Sequence, residues 1–152
     1  MTADFPPIAE LVPQRGRMCL LERVLAHEDR ATRCATLPER SVLFRDAAGR
    51  VPVWVGIEYM AQCAAAHAGL RLRALGRAPQ PGFFLGSRKL VFRCDAFEPG
   101  DRLEVTARLA TGRTKRFAFE CAVYGPDGGE PLVEGRLNLL AVELPAGAQG
   151  PR

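Results

Sequence analysis

Residues 51–75 constrain the fold more than any other part of the chain, because they form one long apolar segment. Between positions 57 and 72 there is no proline, only Gly69 as an interior helix breaker, and many alanines and leucines, which predicts an α-helix. The helix is apolar nearly all the way round, and this pattern is typical of a helix buried on most sides. We therefore expect it to form the centre of the fold.

Two polar residues, Glu58 and Gln62, lie inside this apolar helix. They are four residues apart, so their side chains share one helix face. A carboxylate in apolar surroundings costs free energy unless a partner or a reaction uses it. Glu58 is therefore either part of a functional site or a structural carboxylate held by a salt bridge or by the start of the helix.

The segments on both sides of the helix have the alternation and the turn residues of β-strands. The predicted strands are residues 18–25, 31–37, 83–93, 102–110, 117–124 and 132–142. We expect an α+β fold in which an antiparallel sheet of about six strands wraps round one long helix, with the last four strands in a meander. The expected domain covers residues 1–144, followed by a disordered tail over 145–152. Such a sheet leaves an edge strand uncovered, so we also expect a dimer.

Composition excludes several classes of function. The net charge of +4 comes from arginines spread along the chain, so we expect no nucleic-acid binding. The most basic cluster, residues 113–116, is predicted at a hairpin tip, where it could dock an acidic partner. Five cysteines at wide, irregular spacings fit neither a disulfide framework nor a zinc site, and they favour a reducing cytoplasm. No apolar segment has the roughly 18–20 uncharged residues needed to span a membrane.

Three segments together resemble the 3-hydroxyacyl-(acyl carrier protein) dehydratases of the hotdog fold. They are LVPQRGRMCLLER at 11–23, PVWVGIEYMAQ at 52–62 and GFFLGSRKLVFRCDAFEPGD at 82–101. The sequences of the second and third segments are most similar to those of the ApeP type of dehydratase, from aryl polyene pigment clusters. The resemblance implies a dehydratase-like protein that acts on or binds 3-hydroxyacyl thioesters of acyl carrier protein or coenzyme A. It also implies a homodimer or a heterodimer with another hotdog subunit. We expect no metal and no organic cofactor, because the sequence has no cluster of metal ligands and no Gly-rich phosphate-binding loop.

The resemblance also implies roles for individual residues. In the family a His of one subunit removes a proton beside the thioester carbonyl, and a carboxylate of the other subunit protonates the departing 3-hydroxyl. Glu58 matches the carboxylate, Gln62 matches its neighbour on the helix, and the helix start matches the site that polarises the carbonyl. The implied substrate-binding residues are Val53, Trp54, Gly56, Phe84, Leu85 and Gly86. Ordinary core packing is the alternative for each apolar one taken singly.

Gln14 stands where the family has its His, and this substitution matters most for function. A Gln amide does not titrate near neutral pH and cannot act as a general base. His27 is predicted in a solvated turn, and His67 lies nine residues after Glu58, on the opposite helix face and roughly 13 Å further along. A cysteine base, Cys19 or Cys63, has no positioning partner visible in the sequence.

Three functions remain open at this point. The chain is a dehydratase in which Gln14 binds substrate, or a catalytically impaired hotdog subunit that binds an acyl chain or donates Glu58 to a partner's His. The third possibility is a thioesterase in which the helix carboxylate activates water.

Overall fold

The computed structural model describes residues 3–113 and 115–141, and its longest helix is α1 (Gly56–Ala74). The helix follows one 3₁₀ turn at Val53–Val55. It ends because Gly76 adopts a left-handed conformation, with φ of 72°. The Gly76 amide then donates to the Arg73 carbonyl, and the Arg77 amide donates to the Leu72 carbonyl. The predicted central helix is confirmed, with slightly wider bounds.

Within the described residues, eight strands accompany this helix. In chain order they are β1 (Arg23–His27), β2 (Ala31–Thr36), β3 (Val51–Pro52), β4 (Gly82–Phe92), β5 (Ala96–Phe97), β6 (Leu103–Arg113), β7 (Arg116–Tyr124) and β8 (Val133–Ala141). Six of them form an antiparallel sheet in the order β1-β2-β6-β7-β8-β4, while β3 and β5 pair separately. The expected α+β architecture, one long helix against a six-stranded antiparallel sheet, is confirmed.

The core lies between α1 and one face of the sheet. Tyr59, Met60 and Cys63 of the helix are fully buried, and the strands contribute alternate residues such as Val105 and Leu137. Strand β2 and the first half of β6 therefore have one buried face toward the helix and one more exposed face toward solvent. The helix contacts β2, β6 and β7, so it crosses the middle of the sheet.

The predicted meander of the last four strands is wrong for its first member. Strand β4 pairs with β8 rather than with β6, and it lies at the edge of the sheet. The chain leaves β4, pairs through β5 with β3 beside the start of the helix, and enters the sheet again at β6 next to β2. The short β3–β5 pair thus separates β4 from β6, and sequence alternation alone contains no sign of it.

The first strand begins later than predicted, at Arg23 instead of Met18. Residues 18–22 are irregular because side chains bind part of their backbone. The Thr36 hydroxyl donates to the Leu20 carbonyl at 2.6 Å, and the Leu20 amide donates to the Gln62 side chain. The strand also ends later than predicted, because His27 pairs with Thr32 of β2, so the prediction of a solvated turn at His27 is wrong.

Four predictions extend beyond the described residues: the tail at 145–152, the domain at residues 1–2 and 142–144, the last strand at residue 142 and the basic hairpin at Thr114. Arg113, Lys115 and Arg116 of that hairpin are exposed. Within the described ranges, no helix is long and apolar enough to cross a membrane.

Candidate functional site

Gln62 organises the site because its side-chain amide makes three hydrogen bonds while fully buried. Its Nε2 donates to Glu58 Oε1 at 2.9 Å and to the Met18 carbonyl at 2.6 Å. Its Oε1 accepts from the Leu20 amide at 2.9 Å. Both amide hydrogens and the carbonyl are therefore used, so Gln62 holds residues 18–20 against the helix and fixes one oxygen of Glu58.

Glu58 lies in the first turn of α1, where the helix dipole favours a negative charge. Its side chain is half-buried, so the carboxylate can reach a ligand outside the core. The predicted pairing of Glu58 with Gln62 on one helix face is thus a direct hydrogen bond in the structure. The arrangement provides an oriented acid or base at the start of the helix.

We expect Gln62→Leu to destabilise the fold by about 2 kcal/mol or more, because it leaves the buried Leu20 amide and Met18 carbonyl without partners. Urea unfolding measures this change. Gln80→Leu, at a half-buried position after the helix, is the control and should change the unfolding free energy little. Equal stability of the Gln62 variant and the wild type would contradict the role of Gln62 as the anchor of residues 18–20.

Gln14, the residue in place of the expected His, is half-buried close to the irregular segment at 18–22. Its Oε1 is enclosed and has no hydrogen-bond partner among the described residues. Among the residues that the structure describes, no hydrogen bond joins Gln14 to Glu58 or to Gln62. The structure therefore brings Glu58 and Gln62 together, and leaves Gln14 as a separate, unused acceptor.

The two histidines form a cluster of their own between the sheet and the far end of the helix. The Thr32 hydroxyl lies 2.8 Å from Nδ1 of His27 and 2.8 Å from Nδ1 of His67. The imidazole rings are 5.0 Å apart, and His67 also packs edge-on against Phe119. His67 is buried, as expected for a core histidine, and both rings contact Thr32 through Nδ1, whereas the enclosed Nε2 of His67 has no hydrogen-bond partner among the described residues.

Burial, together with the neighbouring His27 and Arg71, lowers the pKa of His67 to about 4. Burial and Arg71 also lower the pKa of His27. The unfolded chain therefore binds more protons than the folded chain between pH 6.5 and about 4. In this window His67 makes the fold less stable as the pH falls.

We expect the free energy of unfolding to decrease more steeply with falling pH in the wild type than in His67→Gln. Between pH 6 and 4.5 the two slopes should differ by up to about 1.4 kcal/mol per pH unit. Urea unfolding at several pH values measures both slopes. The comparison of slopes removes the contribution of the carboxylates, which both proteins share. Identical slopes would show that His67 is not buried in the neutral form.

The cysteines do not replace the missing base. Cys63 is fully buried, its thiol faces the Thr32 and Val105 carbonyls, and burial together with Cys34 raises the pKa of this thiol well above its ordinary value. A thiol in this state is protonated near neutral pH and is a poor base. All five cysteines are free, and Cys19 is half-buried. No group of His, Cys, Asp and Glu in the described ranges could hold a metal ion.

The apolar residues predicted to bind substrate lie largely on the surface of the single chain. Trp54 is 56% exposed, Phe84 48% and Leu85 51%. Val53 and Trp54 line an open groove of about 610 Å³ beside the helix start, with four residues that the sequence did not indicate. These four are Phe92, Arg93, Cys94 and Asp95. Gly56 begins the helix and is buried, whereas Gly86 lies in β4.

The chain is similar to known proteins in its sequence and in its structure. The family model of the ApeP-like dehydratases matches residues 6–148. A chain of "The Dehydratase Heterocomplex ApeI:P" from Xenorhabdus doucetiae is 28% identical, with a TM-score of 0.85 over 92% of this chain and 93% of that one. No curated protein matches the sequence significantly.

More distant structures share the fold. A thioesterase from Streptococcus pneumoniae, solved with coenzyme A, has a TM-score of 0.59 at 12% identity, covering 79% of this chain and 84% of that one. Thioesterase PA1618 from Pseudomonas aeruginosa, as a mutant, has a TM-score of 0.60 at 16% identity, covering 80% and 81%. At this level of identity the likeness concerns the hotdog fold alone. The match of the family model over nearly the whole sequence shows that the chain belongs to the ApeP-like dehydratases.

Proposed function

We propose that this chain is one subunit of a heteromeric dehydratase for 3-hydroxyacyl thioesters, and that it donates Glu58 to a site completed by a partner's base. The observation that carries the proposal is an oriented Glu58, held by Gln62, in a chain whose position 14 is Gln and whose two histidines are engaged elsewhere. In this proposal the chain contributes the acid of the reaction, and no histidine of the described residues forms a hydrogen bond with it.

The reaction needs both groups at once. The partner's base removes the proton from C2, next to the thioester carbonyl, and the electron pair forms the C2–C3 double bond. The C3–O bond breaks, and Glu58 gives its proton to the leaving hydroxyl, which departs as water. Because general bases contribute roughly 10²–10⁴-fold, the chain alone should be slower than a complete site by about that factor.

The free edge of β4 supports pairing with a second subunit. Five apolar residues of this strand are exposed in the single chain, and soluble proteins rarely leave such a strand edge uncovered. These residues are Phe83, Phe84, Leu85, Val91 and Phe92. The similar Xenorhabdus structure is named a heterocomplex, and we propose the same type of assembly here. A partner on β4 would also cover Phe84 and Leu85, which makes them wall residues of an acyl site at the interface.

We propose acyl carrier protein as the carrier of the substrate and the cytoplasm as the compartment. The exposed Arg113, Lys115 and Arg116 give one end of the sheet a positive charge that suits an acidic carrier. The five free cysteines suit a reducing compartment. The side-chain amide of Gln14 is proposed to bind substrate, which requires its enclosed Oε1 to become accessible.

Dehydration assays of the separated and mixed subunits test the proposal. The purified chain, the ApeI subunit of the Xenorhabdus complex and their mixture are each given a 3-hydroxyacyl thioester of N-acetylcysteamine, and enoyl absorbance is followed. We expect the mixture to turn over about 10²-fold or more faster than this chain alone. Full turnover by this chain alone would contradict the need for a partner. Thiol release from a saturated acyl thioester, with no dehydration, would indicate a thioesterase instead.

Gln14→His should add a second working site to each heterodimer. The wild-type complex has one site with Glu58 and the partner's base, while its other site contains Gln14. With a partner that has the family's own carboxylate, we expect Gln14→His to raise kcat by up to about twofold, because the added imidazole can act as a base. Gln14→Asn, which adds no base, is the control. A well-folded Gln14→His complex no faster than its parent would contradict the assignment of position 14 to the site.

A further inference from the structure

We infer that β4 is built to pair with the edge strand of a different subunit that places a carboxylate opposite Arg88, and to disfavour pairing with a second copy of this chain. The inference rests on the proposed heteromeric function and adds the chemical character of the partner. It is carried by a row of charges across the outer face of the sheet.

The row consists of four residues that lie opposite one another on successive strands. Arg108 of β6 pairs with Glu120 of β7, Glu120 pairs with Arg136 of β8, and Arg136 pairs with Arg88 of β4. Residues in such register have side chains on the same face of the sheet. This is the solvent face, because the adjacent Ala107, Cys121 and Leu137 are buried toward the helix. The signs along the row are therefore plus, minus, plus, plus.

Arg88 is the arginine of this row that has no carboxylate opposite it on a neighbouring strand. Arg136 Nη1 binds Glu120 Oε1 at 3.0 Å, and Glu120 lies between Arg136 and Arg108. Arg88 faces the like charge of Arg136, which is unfavourable when the two lie directly opposite. Among the described residues no acidic side chain forms an ion pair with Arg88 or with the adjacent, exposed Lys89. The next position in the row belongs to whatever strand binds the free edge of β4.

A second copy of this chain that pairs through its own β4 cannot supply the missing charge. Strand β4 has the sequence GFFLGSRKLVF, which contains no Asp or Glu. Two copies of β4 paired in any register would therefore bring four cations to one seam and no carboxylate from either strand. A different subunit with an acidic residue at the facing position would extend the row as plus, minus, plus, plus, minus. Such repulsion against one partner and attraction to another is how interfaces select between similar chains.

A distortion of β4 lies at this point of the edge. Lys89 has φ of 55°, a left-handed conformation that is unusual for a residue with a side chain, and the pairing with β8 shifts register between Arg88 and Val91. Bulges of this kind interrupt regular pairing and redirect side chains at sheet edges. The exposed apolar residues on both sides of the bulge supply the area for binding, while the two cations at its centre determine which strand is accepted.

A charge-reversed copy of the chain provides a partner of known sequence for the first test. Sedimentation equilibrium at low salt compares wild type, Arg88→Glu and their equimolar mixture. We expect the mixture to associate about tenfold more tightly than the wild type alone, since it replaces a cation at the seam with a carboxylate on one of the two facing strands. The difference should shrink as salt is added. Arg102→Glu, an exposed cation away from β4, is the matched control and should show no such gain in a mixture.

Equal association constants for the three samples would overturn the inference, as would a wild-type dimer as tight as the mixture. Thermal unfolding verifies that Arg88→Glu is folded, and the new carboxylate opposite Arg136 is expected to be tolerated. Should this variant nonetheless unfold, Arg88→Gln still tests the inference. It removes the surplus charge, and self-association should then be tighter than in the wild type.

The second test uses the ApeI subunit of the Xenorhabdus complex and measures binding without substrate. We expect Arg88→Glu to weaken its binding about tenfold relative to wild type and Arg102→Glu. Unchanged binding together with working dehydration in the mixture would overturn the inference and leave the proposed function standing. Charge-dependent binding without any dehydration would sustain the inference about β4 and contradict the proposed function.

Discussion

Glu58→Gln is expected to lower kcat for dehydration by about 10²–10⁴-fold in the complex with a partner subunit. The amide has the shape of the carboxylate and can keep the contact with Gln62, but it has no proton to give to the leaving hydroxyl. The loss should therefore appear in kcat with little change in binding of the partner or of the substrate. Steady-state kinetics together with sedimentation of the complex measure the two effects separately.

Two further variants make this result specific. Glu28→Gln removes an exposed carboxylate from the turn after β1 and should leave kcat unchanged. Glu58→Asp keeps an acid that is one methylene shorter, so we expect intermediate activity. A complex with Glu58→Gln that keeps kcat within a few-fold of wild type would assign Glu58 to structure, as a carboxylate that Gln62 holds for stability alone.

Gly69→Ala is expected to destabilise the fold by about 3 kcal/mol or more, the largest stability effect of a single methyl group that we foresee in this chain. A β-carbon at position 69 would lie 2.1 Å from the Leu11 carbonyl oxygen and 2.9 Å from its carbonyl carbon. Both are backbone atoms, and Leu11 is itself buried, so neither side can move without displacing the N-terminal segment. The gain of roughly 1 kcal/mol in helix propensity from Gly to Ala is too small to offset this overlap.

The adjacent position provides the matched control. Ala68 is exposed, and Ala68→Gly should cost about 1 kcal/mol through helix propensity alone. Urea unfolding of both variants measures the difference. If Gly69→Ala were as stable as wild type, the close approach of α1 to Leu11 would be contradicted.

The sequence was sufficient to predict the helix and the Glu58–Gln62 pair, because both depend on local spacing. A long apolar segment that is rich in Ala and Leu and has no proline favours a helix by local propensity, and residues four apart on a helix are neighbours. The fold class followed from the same periodicity and from the family resemblance. The structure adds that Gln62 also binds Met18 and Leu20, more than forty residues away, which no local pattern contains.

The position of β4 and the environment of His27 could not be predicted for a related reason. Alternation indicates that a segment is a strand, but the neighbour of that strand depends on the β3–β5 pair, which is only two residues long on each side. The contact between His27 and Thr32 could not be predicted either, since it forms only when β1 and β2 are paired. The charge row that ends at Arg88 likewise exists only in the assembled sheet.

The central claim is that this chain supplies the acid and a partner supplies the base, and one distance tests it most directly. A crystal structure of the complex with the partner subunit would give the separation between the Glu58 carboxylate and the nearest titratable side chain of the partner. We predict a histidine nitrogen within about 8 Å, the span of two hydrogen bonds and the substrate atoms between them. A site in which no titratable group of the partner comes within about twice that distance of Glu58 would contradict the account.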